Sequence, residues 1–267
     1  MKRILLFTLL MAATTYISAQ NSSIFSLKNW KIKKIGVTMG IEQDMVNGMN
    51  ADFFMKQMIG NSSTELSNTF QFDDANVYSM VCENPHIHVD LTLQTPLLKN
   101  WEVRFGAIAV FNRIDGITYQ NHSGNFEYLS LESFSNEVAL EAAVLKTLPL
   151  WDGRINLHGG LGTNFGYTFG NSMYVWGSSD FTVNETGFNN VNQTQANALL
   201  EDYNNHYALK DGINQRLYGQ IGMDFVLFGC VGLGVEYRRG YGYRMHGGDA
   251  TLTSLNSTAL TMRYHLK

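Results

Sequence analysis

The sequence predicts an all-β chain: an eight-stranded antiparallel up-and-down transmembrane barrel with short turns at one end and long loops at the other. Three observations carry this. Apolar and polar residues alternate with period two in eight separate segments, which is a strand signal. The connections between those segments alternate in length, long then short, along the whole chain. The face shared by the apolar residues is free of charge, while the opposite face carries acids, bases and many glycines.

Composition agrees. The 267 residues are 45% hydrophobic, 12% aromatic and 16% charged, with 25 Gly and only 3 Pro, which excludes collagen-like and disordered classes. Beyond residue 20 no 18-residue run is both apolar and free of charge, since the charge-free stretch 155–179 is interrupted throughout by Gly, Asn, Ser and Thr, so a helical membrane protein is excluded as well. A formal net charge of -4 argues against a nucleic-acid partner. The first residues read as an address. Lys2 and Arg3 precede an apolar stretch from Ile4 to Ala13, and Ile17-Ser18-Ala19 supplies a cleavage site before Gln20. The expected division is a cleaved signal peptide over 1–19 and a barrel domain over 20–267.

The first strand runs from Lys34, with Ile35, Val37, Met39 and Ile41 on one face. The second covers His86 to Thr95, with Ile87, Val89, Leu91 and Leu93 opposed to His86, His88, Asp90 and Thr92. The third places Val103, Phe105, Ala107, Ala109 and Phe111 against Glu102, Arg104 and Gly106. The fourth sets Phe134, Val138, Leu140, Ala142 and Val144 against Glu137 and Glu141. The fifth sets Ile155, Leu157, Leu161, Phe165, Tyr167 and Phe169 against Arg154, His158 and several glycines. Leu217, Ile221, Met223 and Phe225 define the sixth, opposite Arg216 and Asp224. The seventh carries Val231, Leu233, Val235 and Tyr237 opposite Glu236 and Arg238. The eighth carries Leu260, Met262, Tyr264 and Leu266 opposite Thr261 and Arg263. Short connections fall at 96–100, 148–153 and 227–229; long ones are expected at 42–85, 112–132, 170–213 and 239–250.

An eight-stranded interior is too narrow for all the apolar side chains of these strands, so they are expected to face lipid. Trp30, Trp101 and Trp151 fall at the short-turn end, with Phe228 and Tyr264 nearby, as an interfacial girdle requires. Phe111, Phe169, Tyr237 and Tyr241 are placed for the opposite girdle. The polar face then becomes a lumen holding Lys34, Asp90, Glu102, Arg104, Glu137, Glu141, Arg154, Arg216, Asp224, Glu236, Arg238 and Arg263. Six acids meet six bases, and such near balance suits a plugged interior, because buried charge is costly unless paired. The expectation is a closed barrel.

With its strand count and loop asymmetry, the chain resembles the small eight-stranded outer-membrane barrels of the OmpA and OmpX type. The resemblance spans the expected mature chain and is architectural, carried by no catalytic motif. Such barrels commonly end in an aromatic residue, whereas here Tyr264 comes three residues early, before His265, Leu266 and Lys267. The resemblance implies the outer membrane of a Gram-negative bacterium, contact with outer-membrane lipid, a monomer, and a structural or surface-interaction role.

Candidate chemistry is sparse. His86, His88 and Asp90 share one strand face, with Glu42 and Asp44 nearby, and imidazoles with carboxylates suit a divalent metal; a lumen-facing polar ladder is the preferred reading. A lipid hydrolase acting on lipid A is an alternative, since small barrels include such enzymes. His122-Ser123 is the adjacent pair available for it, but it lies in a Gly/Asn-rich loop and the lipid face carries no His. Asn50 to Gly60 reads as a short helix, Asn50 as N-cap and Gly60 past its end. Its apolar stripe, Phe54, Met55, Met58 and Ile59, is expected to cap the barrel mouth; the alternative is a lid over a lipid or small hydrophobic ligand. Within the third long loop, Gln195 to Lys210 reads as a second helix. Loops 42–85 and 170–213 are the candidate surfaces for an extracellular protein or glycan. No motif implies a cofactor. Cys82 and Cys230 fall at opposite ends and are expected to be free thiols, since the ~25 Å apolar band separates them.

Overall fold

The computed structural model describes residues 30–46, 49–64, 77–80, 82–94, 99–120, 128–178, 206–246 and 249–266. The expected signal peptide therefore lies outside the described residues, as do His122 and Ser123.

Eight long strands form the wall: β1 (Lys31–Val46), β3 (Asn84–Gln94), β4 (Trp101–Gln120), β5 (Tyr128–Leu150), β6 (Ile155–Ser178), β8 (Gly212–Leu227), β9 (Val231–His246) and β10 (Asp249–His265). Each pairs antiparallel with the next, and β1 pairs with β10 from Lys34↔His265 to Val46↔Thr253, so the ring closes. Closure leaves no sheet edge in the wall, the condition for a sheet to cross lipid. Two short strands extend the rim. β2 (Val77–Met80) pairs with β4 beyond the end of β3, and β7 (His206–Ala208) pairs with β6 beyond the start of β8.

The burial pattern is inside out. Leu140, Leu161, Leu260 and Ile221 are each more than 60% exposed on the outer wall, while Arg104, Arg113 and Asp224 are fully buried. An aqueous surface would not select that belt; a lipid one does. Among the described residues no helix is long and apolar enough to cross a membrane, so the strands do the crossing. Trp101 and the turn residues Trp151 and Phe228 stand at one end, with Lys146 over the Trp101 ring at 5.9 Å. Phe228 is 95% exposed, as a residue dipping into a headgroup layer would be.

Glycine serves the narrow interior. A Cβ on Gly106 would lie 2.1 Å from His88 Nε2, and one on Gly162 would lie 2.5 Å from the Tyr218 ring. The large lumen side chains occupy the room these glycines leave.

Two of the expected long loops prove to be mostly strand. The segment 112–132 continues β4 and β5, which pair up to Gln120↔Tyr128. The alternation is hidden there by a bulge. Phe111 and Asn112 together oppose Asn136, so on β4 the inward positions change from even (Glu102, Arg104, Ile108, Val110) to odd (Arg113, Asp115, Ile117, Tyr119). A matching bulge at Gly170–Asn171 turns β6 from even inward positions to Asn171, Met173 and Val175. The segment 239–250 is likewise a hairpin, with β9 and β10 paired as far as His246↔Asp249. Its inward residues include Gly240, Gly242 and Arg244 and its outward ones Arg239, Tyr241 and Tyr243, so the hydrophobic period is weak. In the third loop, His206–Ala208 is strand rather than helix, and 195–205 lies outside the described residues.

The helix in the first loop is shorter than expected. Its turn, α1 (Ala51–Met55), starts at Asn50, whose Oδ1 accepts from Phe53 N at 3.1 Å. It stops because the following chain is drawn into extended pairing: Met58 bridges Leu209, and Ile59 N donates to Ala208 O at 3.2 Å.

Candidate functional site: an ion-paired lumen under an apolar cap

Inward residues of the wall strands bring buried charge into ion-paired clusters stacked along the lumen. Nine carboxylates are buried: Glu42, Asp44, Asp90, Glu102, Asp115, Glu137, Glu141, Asp224 and Glu236. Seven bases accompany them: Lys34, Arg104, Arg113, Arg216, Arg238, Arg244 and Arg263. Eleven of the twelve residues expected in the lumen are among these. Arg154 is the exception: it sits exposed in the turn between β5 and β6, because the strand begins one residue later, at Ile155.

Two carboxylates act as hubs. Glu236 on β9 receives Arg104 Nη1 at 2.6 Å, Arg238 Nε at 2.7 Å and Arg263 Nη2 at 2.9 Å. Asp44 on β1 receives Arg113 Nη1 at 2.6 Å, Arg216 Nη2 at 2.7 Å and Arg244 Nη2 at 2.9 Å. Glu141 and Glu137, four apart on β5, extend the two hubs. Glu141 takes Arg104 Nε at 3.0 Å and Arg238 Nη1 at 2.5 Å, while Glu137 takes Arg216 Nη1 at 2.7 Å and Arg113 Nη2 at 2.8 Å. Toward the turn end Lys34 Nζ donates to Glu102 at 3.0 Å, and Arg263 Nη1 to Asp224 at 2.7 Å. Toward the loop end Arg113 also pairs with Glu42, and Arg244 with Asp115. Planar guanidinium groups suit this role, since each offers several donors in a fixed fork to different strands.

Above the charges the interior becomes apolar. Phe54 and Met58 pack with Val46, Met49 and Ala51 against Ile117, Tyr119, Leu131, Met173, Val175 and Leu209. The Ala51 amide donates to Tyr119 Oη at 2.5 Å. Of the expected lid residues, Phe54 and Met58 are buried, Met55 is half-buried against this cluster, and Ile59 is exposed.

His86, His88 and Asp90 do face the lumen and are buried. His88 Nδ1 also lies 3.0 Å from Arg238 Nη2, a cationic neighbour. Among the described residues no three His, Cys, Asp or Glu converge to hold a metal.

Sequence reading missed five of these charges, Glu42, Asp44, Arg113, Asp115 and Arg244, which it left in loops. The available signal was a second alternation of opposite parity after Asn112, with charge on the new inward face at Arg113 and Asp115.

Taken together, the closed ring, apolar exterior and charge-filled interior define a transmembrane eight-stranded β-barrel of the small outer-membrane architecture. Among solved structures the chain is similar to Neisserial surface protein A, with a TM-score of 0.41 at 8% identity over 90% of this chain and 100% of that one. It is also similar to outer membrane protein OprG from Pseudomonas aeruginosa, at 0.41 and 11% identity over 88% and 97% of the two chains. A third is Ail, the attachment invasion locus protein of Yersinia pestis, at 0.38 and 9% identity over 88% and 100%. No protein-family model and no curated protein matches the chain.

Proposed function

We propose that this protein is a non-conducting, non-catalytic barrel of a Gram-negative outer membrane, a monomeric scaffold with its loop end outward. The observation that supports it is the pair of hubs at Glu236 and Asp44. Each gathers three arginines from different strands, and together they cross-link the wall through its own lumen. A solute path along the axis would require these pairs to part, leaving charges unpaired in a buried site. The apolar cap adds a second obstruction. A ligand lid is disfavoured by the same cap, because Phe54 and Met58 are already seated in a packed cluster. On this reading, the loop-end connections between β1 and β3 and between β6 and β8, within the expected 42–85 and 170–213, form the surface offered to an extracellular protein or glycan.

Reconstitution of the purified protein in planar bilayers tests the central point. Current at the level of the protein-free bilayer is expected. Discrete conductance steps in proportion to added protein would overturn the closed-lumen reading.

A further inference from the structure

The outer wall is apolar on every strand, but not to the same height. On β6 the outward apolar side chains reach from Ile155 to Phe169, and on β8 from Phe225 to Ile213. On β10 the run Tyr264, Met262, Leu260 stops, and Thr258, Asn256 and Ser254 take the next outward positions. The neighbours continue this polar notch. Asn256 lies in register with Gln43 of β1 on one side and with Arg239 of β9 on the other. Gln43, Glu83, Tyr237, Arg239, Asn256 and Thr258 line a shallow cleft there of about 430 Å³.

Arg239 is the unusual member. Among the described strand residues, the other outward charges stand near the barrel ends, with Lys31, Lys33 and Lys146 toward the turns and Glu132 and Asp249 toward the loops. Arg239 is eight residues from Val231, the start of β9. At about 3.3 Å per residue and a tilt of about 40°, that is roughly 20 Å above the turn end, near the upper edge of an apolar band of about 25 Å. Its guanidinium is exposed and, among the described residues, has no hydrogen bond or ion pair. A cation so placed is unfavourable toward lipid unless it reaches an anion. The headgroup layer supplies phosphate, which a guanidinium binds through two parallel N–H groups. Across the cleft, Glu83 accepts from Gln43 Nε2 at 3.4 Å and makes no ion pair with Arg239. Tyr237 Oη donates to Asn256 Oδ1 at 3.2 Å, which leaves the Asn256 amide nitrogen available to a ligand. One unpaired base and one separate acid in a single polar cleft match a zwitterionic ligand.

We propose that this notch binds a phosphoethanolamine-type lipid headgroup, with Arg239 holding its phosphate and Glu83 its amine. The proposal goes beyond the scaffold role and rests on the transmembrane reading.

The test places the wild-type protein, Arg239→Gln and Glu83→Gln in nanodiscs of equal parts phosphatidylethanolamine and phosphatidylglycerol. After gentle detergent release, retained lipid is counted by native mass spectrometry. Heat-modifiable gel migration verifies that each variant is folded. The wild type should retain phosphatidylethanolamine about tenfold over phosphatidylglycerol, a difference of about 1.4 kcal/mol. Arg239→Gln should lose both lipids, and Glu83→Gln should lose the preference between them. Retention by Arg239→Gln equal to the wild type would overturn the site. So would complete displacement of the lipid by millimolar inorganic phosphate, which would make this a free-anion site. Refusal of the wild type to enter nanodiscs would instead sink the transmembrane reading, and the lipid site with it.

Discussion

The backbone amide of Asn112 donates to the side-chain Oδ1 of Asn136 across the β4–β5 pair, at 3.2 Å. Asn112 has φ 50 and sits in the bulge that reverses the inward face of β4. On the other flank of Asn136, its Nδ2 lies 3.5 Å from the point where a Cβ on Gly170 would stand, and Gly170, with φ 63, belongs to the matching bulge on β6. One asparagine thus stands between two bulges, at the level where β4 begins to supply Arg113 and Asp115 to the interior. Replacing Asn136 by Ala should lower the unfolding free energy by about 1 kcal/mol, the worth of one hydrogen bond. Asn136→Asp keeps the acceptor and should cost less. Gly170→Ala should cost roughly 1 kcal/mol through its left-handed backbone. Urea unfolding in lipid vesicles, followed by tryptophan fluorescence, measures all three.

The hubs predict a larger effect. Arg104 bonds Glu141, Glu236 and Gln220 at once, so Arg104→Met leaves buried acceptors uncompensated. A loss of about 3–5 kcal/mol is expected in the same unfolding experiment. Adding Glu141→Leu should cost less than the sum of the single changes, because it removes one of the stranded carboxylates. Strict additivity would show that the pair is not coupled.

On the closed-lumen reading proposed above, the cap and the charge network obstruct the lumen independently. Phe54→Ala should destabilise by about 3–5 kcal/mol, as truncation of a buried aromatic does. Bilayer current should nonetheless stay at background, since the ion pairs below remain. Conductance appearing in this variant alone would assign closure to the cap.

Cys82 and Cys230 report orientation. Cys82 precedes β3 at the loop end, Cys230 lies in the β8–β9 turn, and both are free. A membrane-impermeant maleimide applied to intact cells should label Cys82 and reach Cys230 only after the envelope is permeabilised. Burial, then the nearby carboxylates of Asp115 and Glu132, push the Cys82 thiol up. Less thiolate is therefore present at neutral pH, and labelling of Cys82 should accelerate as pH rises. Mass spectrometry of modified peptides reads both outcomes.

The barrel was legible in the sequence wherever inward and outward residues differ in polarity. Strands such as Leu217–Phe225 and Val231–Tyr237 face lipid on one side and charge on the other, so local alternation is enough to find them. The alternation fades where the contrast does. In Tyr241–Tyr243 and Ser254–Thr258 the outward residues are aromatic or polar, and a one-dimensional pattern resembles a loop. Arg154 failed for a different reason: its parity was right, but the turn claims it one residue before the strand begins.

The sequence by itself determined the transmembrane barrel, its strand count, its lipid face and eleven of its lumen charges, because each depends on a period of two within one strand. Only the tertiary structure decided which charges meet. The three arginines at Asp44 come from β4, β8 and β9, and no spacing along the chain encodes a convergence across the barrel axis. It also decided that Arg113 and Asp115 point inward, since a single bulge reverses every later side chain on its strand. The unpaired Arg239 became visible in the same way, once the register set it beside Asn256 and Gln43 on the lipid side of the wall.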